Sequence, residues 1–289
     1  MNSNEGPPVR ADLAGLLAWA DETILPRELS ERAGPAHLVS QTRLRVGADL
    51  GTAYLVLVVL DEDGRPLAGE WQFAEVVRDG LVVDFVGATD LLRGMKVRLE
   101  RRLGRELTSA ASGYPPGVPQ VEVRAIANVV EAAGLRCSGL VDEPSAANLV
   151  LELQDGAIVD VGGGTTGIAI VQNGDVIFTA DEPTGGTHFS LVVAGSQNLS
   201  FAEAEALKIR PEEQARLFPA LRPVMEKVAS IILRHVEGRN VPRIILVGGS
   251  SAFAGVAEVV AEYTNIRTWV PPNPLFVTPL GIALHDVLQ

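Results

Sequence analysis

The sequence contains very little cysteine and few aromatic residues. Cys137 is the only cysteine among 289 residues, which excludes a disulfide within the chain and a metal site built from paired cysteines. Phe, Tyr and Trp together make up 5% of the chain. The apolar residues are mostly Val, Leu, Ala and Ile, and they are accompanied by 29 Gly. This mixture is typical of α/β proteins with buried strands and many glycine turns.

Positive charge and long apolar runs are also scarce. The formal net charge is −12, so the chain lacks the basic face that a nucleic-acid binder needs. No apolar run approaches the ~20 residues of a membrane-spanning helix. The short apolar run near the N-terminus is flanked by acids and has no cleavage site after it, unlike a signal peptide. Because 47% of the residues are hydrophobic, the chain can fill a core. We therefore expect a soluble, cytoplasmic protein with no nucleic-acid or membrane partner.

The first 42 residues differ from the rest of the chain. Residues 1–8 are polar and proline-rich, which predicts disorder. From Ala11 to Thr23 apolar residues recur at helical spacing, which predicts an amphipathic helix. This helix either packs on the body of the protein or binds a partner, and the pattern is compatible with both. We interpret residues 1–42 as an N-terminal extension.

From residue 43 onward, strand and helix patterns alternate. The predicted strands are 44–48, 53–60, 66–77, 107–113, 137–141, 157–161, 166–172, 176–180, 243–247 and 268–270. The predicted helices are 88–104, 121–133, 145–153, 186–195, 200–208, 211–237 and 276–288.

An internal repeat is the most informative feature of the sequence. The segments DLGTAYLVLVVLDEDGRPL (49–67) and DVGGGTTGIAIVQNGDVIF (160–178) share an order of parts. Each has Asp-x-Gly, a Thr, an apolar strand, a tight turn and a second strand. Two such copies predict two lobes of related topology.

The two glycine-rich turns of this repeat suit a nucleotide phosphate. Glycine lets the backbone approach an anion closely and turn its N–H groups toward it, and Thr52, Thr165 and Thr166 add hydroxyl donors. Asp49 and Asp160 then face each other across a cleft and hold hydrated Mg²⁺, which prefers carboxylate and phosphate oxygens. The alternative is a pair of ordinary hairpin turns, in which Asp and Gly are favoured in any case.

Two further segments carry possible site residues. Gly248-Gly249-Ser250 follows a strand and precedes a helix, a position at which backbone N–H groups bind phosphate or nucleoside. Glu143 lies where the strand 137–141 runs into a helix that starts with Pro144, so it is placed to accept a proton or orient a water molecule. The alternative for Glu143 is a structural acid at a helix N-terminus.

In this order, the motifs resemble those of the actin, sugar-kinase and seventy-kilodalton heat-shock ATPase superfamily. They are GADLGTA (47–53), VDEPSAA (141–147), VDVGGGTTGIAI (159–170), TGGTHFS (184–190), ILVGGSSAFAGV (245–256) and PLGIA (279–283). The resemblance implies an α/β, two-lobed actin-like (ribonuclease H-like) ATPase fold with reduced peripheral subdomains. It also implies lobes at 43–144, completed by the C-terminal helix 275–289, and at 145–274.

The resemblance also assigns roles to residues, with ATP or ADP and Mg²⁺ as the cofactors. Asp49 and Asp160 belong to the Mg²⁺–phosphate site, and Glu143 orients the attacking water. The residues implied to contact the nucleotide are Gly51, Thr52, Gly162, Gly163, Gly164, Thr165 and Thr166 on the phosphates, Gly185 and Gly186 on the ribose or phosphate side, and Gly248, Gly249 and Ser250 on the adenosine.

Within the superfamily the chain is similar to the EutJ family, the chaperone-like proteins of ethanolamine-utilisation operons. The likeness lies in the short length, in VVDFVGA (82–88) and in RPVMEKVASIILRHVEG (222–238). This resemblance implies an enzyme or shell protein of a bacterial microcompartment as the partner.

Several segments depart from the superfamily pattern. One helix replaces most of the peripheral subdomain of the first lobe, where the chaperones carry a catalytic lysine, and Lys96 is the lysine nearest that place. His188 and Ser190 replace the acid-rich stretch after the double glycine. Glu226 and Lys227 are the adenosine contacts that a shortened second lobe leaves.

Three functions are compatible with these features. An ATP-dependent chaperone-like ATPase would use the closing and opening of the cleft to act on a client protein. A nucleotide-binding scaffold would bind nucleotide with little or no hydrolysis, with filament or homodimer formation. A small-molecule kinase would need an acceptor pocket built in inserted segments, which this chain lacks.

Overall fold

Two β-sheets with helices packed around them form the structure, a computed structural model that describes residues 9–36, 42–78 and 80–289. The predicted disorder of residues 1–8 lies outside the described residues. The first sheet has the strand order β1-β4-β3-β2-β7-β8. Its strands are β1 (Ile24–Pro26), β2 (Arg45–Leu50), β3 (Tyr54–Leu60), β4 (Pro66–Phe73), β7 (Ser109–Tyr114) and β8 (Arg136–Asp142). A small hairpin follows β4 and consists of β5 (Val77–Arg78) and β6 (Leu81–Val82).

The second sheet has five strands in the order β11-β10-β9-β12-β13. They are β9 (Gly156–Val161), β10 (Thr166–Gln172), β11 (Asp175–Glu182), β12 (Arg243–Val247) and β13 (Arg267–Trp269). The helices of both lobes are α1 (Leu13–Thr23), α2 (Arg27–Ser30), α3 (Phe85–Leu103), α4 (Gln120–Ala132), α5 (Glu143–Leu151), α6 (Gly186–Gln197), α7 (Phe201–Lys208), α8 (Pro211–Val236), α9 (Val256–Thr264) and α10 (Val277–Leu284).

The two sheets repeat one topology. In the first, β2, β3 and β4 form an antiparallel meander, and β7 and β8 then run parallel to β2. In the second, β9, β10 and β11 form the meander, and β12 and β13 run parallel to β9. The duplication predicted from the repeat is therefore present, and the predicted actin-like fold class is confirmed.

The N-terminal segment packs on the body of the protein. Leu13, Leu17 and Ala20 of α1 are buried in a core that also contains residues of both sheets. After α1 the short strand β1 pairs in parallel with β4 and so becomes the edge of the first sheet. The sequence analysis did not anticipate this strand, because three residues that end in proline carry no alternating pattern.

Helix α10 joins the C-terminal segment to the centre of the fold. It packs between α5 and the strand β2, and all of Val277–Ala283 is buried. A Cβ atom at Gly281 would lie 1.9 Å from the carbonyl oxygen of Ala146 in α5, so the two helices can cross this closely only with glycine there.

Most element boundaries agree with the predicted ones to within two residues, and four differ for identifiable reasons. Helix α3 begins at Phe85 instead of residue 88, because the carboxylate of Asp84 accepts a hydrogen bond from the backbone N–H of Gly87 at 2.9 Å. The third strand ends at Phe73 instead of residue 77, because the chain turns there into the β5–β6 hairpin. The helix predicted directly after the third glycine turn is a short 3₁₀ turn, Gly249–Ala252, followed by α9. The last helix ends at Leu284, because the buried carboxylate of Asp286 binds the backbone N–H of Val46 at 2.8 Å. None of the helices in the described part of the chain is long and apolar enough to cross a membrane.

Candidate active site

A cleft of about 360 Å³ lies between the two lobes, at the ends of their central strands. The loop between β2 and β3 lines it from the first lobe, and the loop between β9 and β10 lines it from the second. The predicted residues that line the cleft are Asp49, Gly51, Thr52, Glu143, Asp160, Gly162, Gly163, Gly164, Thr165, Gly248, Gly249 and Ser250. The structure thus brings together residues that are up to 201 positions apart in the sequence, from Asp49 to Ser250.

The two glycine-rich loops touch each other at the base of the cleft. A Cβ atom at Gly163 would lie 2.9 Å from the backbone nitrogen of Ala53 and 2.8 Å from its Cβ, so this approach requires glycine. Both loops therefore present their backbone to the same space. Successive backbone N–H groups in such loops form a concave surface that binds anions.

Three carboxylates lie in the cleft beside these loops. Asp49 is the second-last residue of β2, Asp160 lies on β9, and Glu143 begins α5 directly after β8. Asp142 fixes the start of α5, because its carboxylate accepts a hydrogen bond from the backbone N–H of Ser145 at 3.0 Å. The strand ends of both sheets thus direct carboxylates into one site.

Burial raises the pKa of all three carboxyl groups, and the charges of neighbouring carboxylates raise the pKa of Asp49 and Glu143 further. Burial, followed by the charge of Asp160, raises the pKa of Asp49 to about 7. Burial raises the pKa of Asp160 to about 6, although the hydroxyl of Thr278 donates a 2.5 Å hydrogen bond to it and acts in the opposite direction. The pKa of Glu143 is raised well above its usual value by burial and then by the charges of Asp49 and Asp160.

The donor set fits a hydrated magnesium ion that is completed by phosphate oxygens. Within residues 9–36, 42–78 and 80–289, no three His, Cys, Asp or Glu side chains are arranged to hold a metal ion by themselves. Asp49 and Asp160 instead supply two hard oxygen ligands beside the phosphate-type loops, and burial raises the pKa of both carboxyl groups. Mg²⁺ commonly binds through one or two carboxylates plus phosphates and water.

The third glycine turn is attached to the second loop. The hydroxyl of Ser250 donates a 2.8 Å hydrogen bond to the carbonyl of Gly162. The remaining predicted contacts, Thr166, Gly185 and Gly186, lie behind this loop and do not line the cleft. The hydroxyl of Thr166 donates to the carbonyl of Thr184 at 2.6 Å, and the N–H of Gly186 donates to the carbonyl of Gly162 at 2.9 Å. In this arrangement the three residues hold the second loop in place.

Sequence reasoning missed a polar cluster on α6 and α7 that borders the cleft. The ammonium of Lys208 donates to the carboxylate of Glu205 at 2.7 Å and to the hydroxyl of Ser190 at 3.0 Å. Burial lowers the pKa of Lys208. Glu205 and Lys208 both lie on α7, one turn apart, and both line the cleft. Their only sequence signal is the capping box at Ser200 and Glu203, which predicts the helix but not its function.

One hydrogen bond of this cluster connects the two lobes. The hydroxyl of Tyr54, the first residue of β3, donates to the carboxylate of Glu205 at 3.3 Å. Tyr54 packs edge-on against Trp71, with ring centroids 5.3 Å apart, and both rings line the cleft. A residue of the first lobe is thus hydrogen-bonded to a residue of the second across the cleft.

Four other residues singled out by the resemblance do not line the cleft. Lys96 forms an ion pair with Glu100 at 2.6 Å on α3. Glu226 forms an exposed ion pair with Arg222 on α8, and its neighbour Lys227 lies on the same helix. His188 is in the first turn of α6, where its ring nitrogen faces the backbone N–H of Gly185 at 3.4 Å.

Comparisons with known proteins agree with the fold of the chain. A model of the MreB/Mbl protein family matches residues 68–195, and a model of the cell division protein FtsA matches residues 157–281. The ethanolamine utilization protein EutJ of Escherichia coli K12 is 44% identical over 246 residues, which cover 84% of this chain and 86% of that protein. EutJ of Salmonella typhimurium is 42% identical with the same coverage.

Solved structures show the same relationship. The crystal structure of EutJ from Carboxydothermus hydrogenoformans superposes with a TM-score of 0.86 at 42% identity and covers 94% of this chain and 98% of that one. MreB5 of Spiroplasma citri bound to AMPPNP superposes with a TM-score of 0.68 at 18% identity, covering 84% of this chain and 96% of that one. At this identity the likeness to MreB5 concerns the fold.

Proposed function

This chain belongs to the EutJ family, and we propose that it binds ATP or ADP with Mg²⁺ in the interlobe cleft and hydrolyses ATP slowly. The observation that carries the proposal is the meeting of two glycine loops with three carboxylates whose pKa values are raised. Backbone N–H groups of the loops suit phosphate oxygens, and Asp49 and Asp160 suit a cation bound to those phosphates. Mg²⁺, when bound, neutralises phosphate charge.

Glu143 has the features of the residue that acts on the attacking water. It lies in the cleft with Asp49 and Asp160, and its carboxyl pKa is raised well above the usual value. A proton acceptor with a raised pKa works near neutral pH, so Glu143 orients water and takes its proton during attack on the terminal phosphate. No covalent intermediate with the protein is required.

The cleft residues outside the glycine loops suit the nucleoside. Tyr54 and Trp71 supply aromatic surface, while Glu205 and Lys208 supply an acceptor and a donor for hydroxyl groups. Thr278 also lines the cleft, and its hydrogen bond orients the carboxylate of Asp160. These four residues and Thr278 extend the set of site residues predicted from the sequence.

A turnover assay tests the catalytic part of the proposal. We expect Asp160→Asn and Glu143→Gln to abolish phosphate release from Mg-ATP while the circular dichroism spectrum stays that of the wild type. Asp175→Asn, an exposed substitution at the start of β11, is the matched control and should leave turnover unchanged. Wild-type turnover that persists in Asp160→Asn would contradict the assignment of this site.

A nucleotide-binding scaffold without turnover is the second candidate, and one observation favours it. Among the described residues, Lys208 of the second lobe is the one lysine that lines the cleft, whereas Lys96 of the first lobe is paired with Glu100. Within the described residues, no lysine or arginine of the first lobe thus lines the cleft, where it could stabilise the transferred phosphate. Binding of Mg-ADP by a wild-type protein that releases no phosphate from Mg-ATP would favour the scaffold.

The cellular role follows from the names of the relatives. We propose that the protein serves ethanolamine utilisation in the cytoplasm, acting as a chaperone-like protein on an enzyme or shell protein of a microcompartment. Opening and closing of the cleft would act on this client. Growth on ethanolamine of a strain lacking the gene tests the role: the wild-type gene should restore growth and the Asp160→Asn gene should not. Equal growth of all three strains would contradict it.

A further inference from the structure

A second cavity lies on the first lobe and shares no lining residue with the cleft. It has a volume of about 190 Å³ and is enclosed by the 30–35 segment, which follows α2, and by the last turns of α3. Three arginines of α3, Arg98, Arg101 and Arg102, line it. The backbone N–H of Ala36 donates to the carbonyl of Arg102 at 2.7 Å and ties the segment to the helix.

Polar atoms without partners lie in the wall of this cavity. Arg102 is 8% exposed and Ser30 is 3% exposed. Nη1 of Arg102 donates to the carbonyl of Gly69 at 3.2 Å, but its Nε–H and the hydroxyl of Ser30 have no hydrogen-bond partner within the described residues. Buried polar atoms in proteins are nearly always hydrogen-bonded, so two unsatisfied ones in one cavity wall call for an explanation.

Positive charge is also in excess around the cavity. Glu70, which is fully buried, accepts hydrogen bonds from Nε and Nη2 of Arg98 at 2.9 and 2.5 Å, so its carboxylate is already engaged. Glu31 lies at the cavity rim and is paired with Arg27 at 3.0 Å. Arg102 is thus a buried guanidinium that shares the attraction of one carboxylate with Arg98. A guanidinium stays protonated in proteins, so it cannot escape this cost by losing its proton.

We propose that this cavity binds a carboxylate group, held by Arg102 and by the hydroxyl of Ser30. A carboxylate brings one negative charge, which matches the excess of one cation in the set formed by the buried Glu70 and Arg102 and the partly buried Arg98. A phosphate dianion would leave an excess of negative charge beside Glu70. The planar guanidinium also pairs with planar carboxylates through parallel hydrogen bonds.

The carboxylate can come from a small organic acid or from an acidic side chain of a partner peptide. The cavity admits only a few heavy atoms, but a shallower groove of about 670 Å³ continues along α3 and shares Arg98 and Arg101 with it. Arg93 and the exposed Val97 also line this groove. The remainder of a larger molecule would lie there.

Thermal unfolding of the full chain tests the proposal without reference to the cleft. Sodium acetate, compared with sodium chloride at equal ionic strength, should raise the unfolding midpoint of the wild type and reach saturation. In Arg102→Gln the acetate concentration needed for half of this effect should rise at least about tenfold, the factor expected on losing a charge-assisted hydrogen bond. Arg124→Gln, an exposed arginine on α4 of the same lobe, is the matched control and should respond like the wild type.

Further measurements identify the source of the carboxylate. A second variant keeps the test decisive if Arg102→Gln fails to fold. Ser30→Ala should weaken the acetate effect by about threefold, as expected for one neutral hydrogen bond. Inorganic phosphate should act more weakly than acetate. A hexaglutamate peptide that acts at concentrations at least tenfold lower than acetate would identify a peptide source, and equal potency would identify a free acid. An unsaturable effect of acetate, or an equal effect on wild type, Arg102→Gln and Ser30→Ala, would overturn the proposal.

Discussion

The carboxylates of Asp49, Glu143 and Asp160 would stabilise a bound cation. Without a cation, their negative charges lower the stability of the folded protein. Each is placed by the end of a strand, and each has a carboxyl pKa raised first by burial. Charges brought together in a partly dry space repel each other unless protons or a cation compensate them. The ionised site therefore costs folding stability that a bound cation would return.

Replacing Asp49 with Asn should stabilise the protein without ligand at alkaline pH. The pKa of Asp49 is about 7 in the folded state, against an ordinary value of 3.8, so the folded wild type holds its proton more tightly than the unfolded chain. Its stability therefore falls as the pH rises from about 4 to 7. We expect Asp49→Asn to raise the free energy of unfolding by about 2 kcal/mol at pH 8, a value reduced from the full shift because water enters the cleft.

Urea unfolding at pH 4 and pH 8 measures this difference. At pH 4 the gain should nearly vanish, because the carboxyl group is then largely protonated in the folded wild type and only partly ionised in the unfolded chain. Asp175→Asn, on the surface, should show no gain at either pH. If Asp49→Asn is less stable than the wild type at pH 8, the carboxylate of Asp49 makes a favourable contact in the folded protein and is not destabilised by the neighbouring carboxylates.

The contact between Tyr54 and Glu205 should slow the release of nucleotide. The hydroxyl of Tyr54 in the first lobe donates a hydrogen bond to the carboxylate of Glu205 in the second lobe at 3.3 Å. Tyr54→Phe removes the hydroxyl and keeps the ring that packs on Trp71. Because one hydrogen bond contributes about 1 kcal/mol, the dissociation rate of ADP should increase about fivefold.

Stopped-flow displacement of a fluorescent ADP analogue gives this rate directly. Tyr263→Phe, which removes an exposed hydroxyl on α9, should leave the rate unchanged. If Tyr54→Phe and Tyr263→Phe release the analogue at the same rate, the cross-lobe contact has no part in retaining nucleotide.

At the scale of elements, the crossing of α10 and α5 leaves no room for a side chain at Gly281. Gly281→Ala would place a methyl group 1.9 Å from the carbonyl oxygen of Ala146, and neither helix can move without displacing β2 or Glu143. We expect it to destabilise the protein by about 3 kcal/mol, the upper part of the range for overpacked cores. Gly195→Ala on α6 has open space around the new methyl group and should stabilise by about 0.5–1 kcal/mol.

The two substitutions have opposite expected signs, so the shift in the urea midpoint separates them clearly. A Gly281→Ala variant as stable as the wild type would mean that α10 and α5 can separate. The position of Glu143, which begins α5, would then not be fixed by this crossing.

Local patterns predicted the elements well, and the long-range geometry of the site less well. The β10 strand and helix α8 follow their patterns closely, although α8 contains Pro219 and Pro223. Those prolines are tolerated because the amphipathic pattern continues through them. Strand β1 and the early end of α10 were missed, since each depends on partners far along the chain, β4 and Val46 respectively.

The same limit applies to the candidate site. Motifs that carry their own geometry, the two Asp–Gly hairpins and the strand-to-helix turn at Gly248, were found from the sequence and line the cleft. Tyr54, Glu205, Lys208 and Thr278 were not. Tyr54 and Thr278 lie one residue outside the motifs GADLGTA (47–53) and PLGIA (279–283), and the pattern around Glu205 and Lys208 predicts only a helix. Thr166, Gly185 and Gly186 belong to the motifs, but their hydrogen bonds are used within the protein.

The whole molecule consists of one topology used twice. Each sheet has a three-stranded meander followed by two parallel strands, and each places a glycine hairpin and an aspartate at the cleft. The hydrophobic core around α1 also contains residues of α5, α10 and both sheets, and it connects the two halves. We expect a ligand that closes the cleft to move the two lobes relative to each other about this shared core.

We propose above all that the cleft binds a magnesium nucleotide through Asp49 and Asp160. Calorimetric titration of the wild type and of Asp49→Asn with Mg-ADP tests it most directly. We predict binding by the wild type and an affinity at least about tenfold lower in Asp49→Asn, as expected for the loss of a charged contact to the bound ion. The same variant is predicted to be the more stable protein without ligand. Absence of binding by folded wild type, or equal affinity in both proteins, would contradict the account.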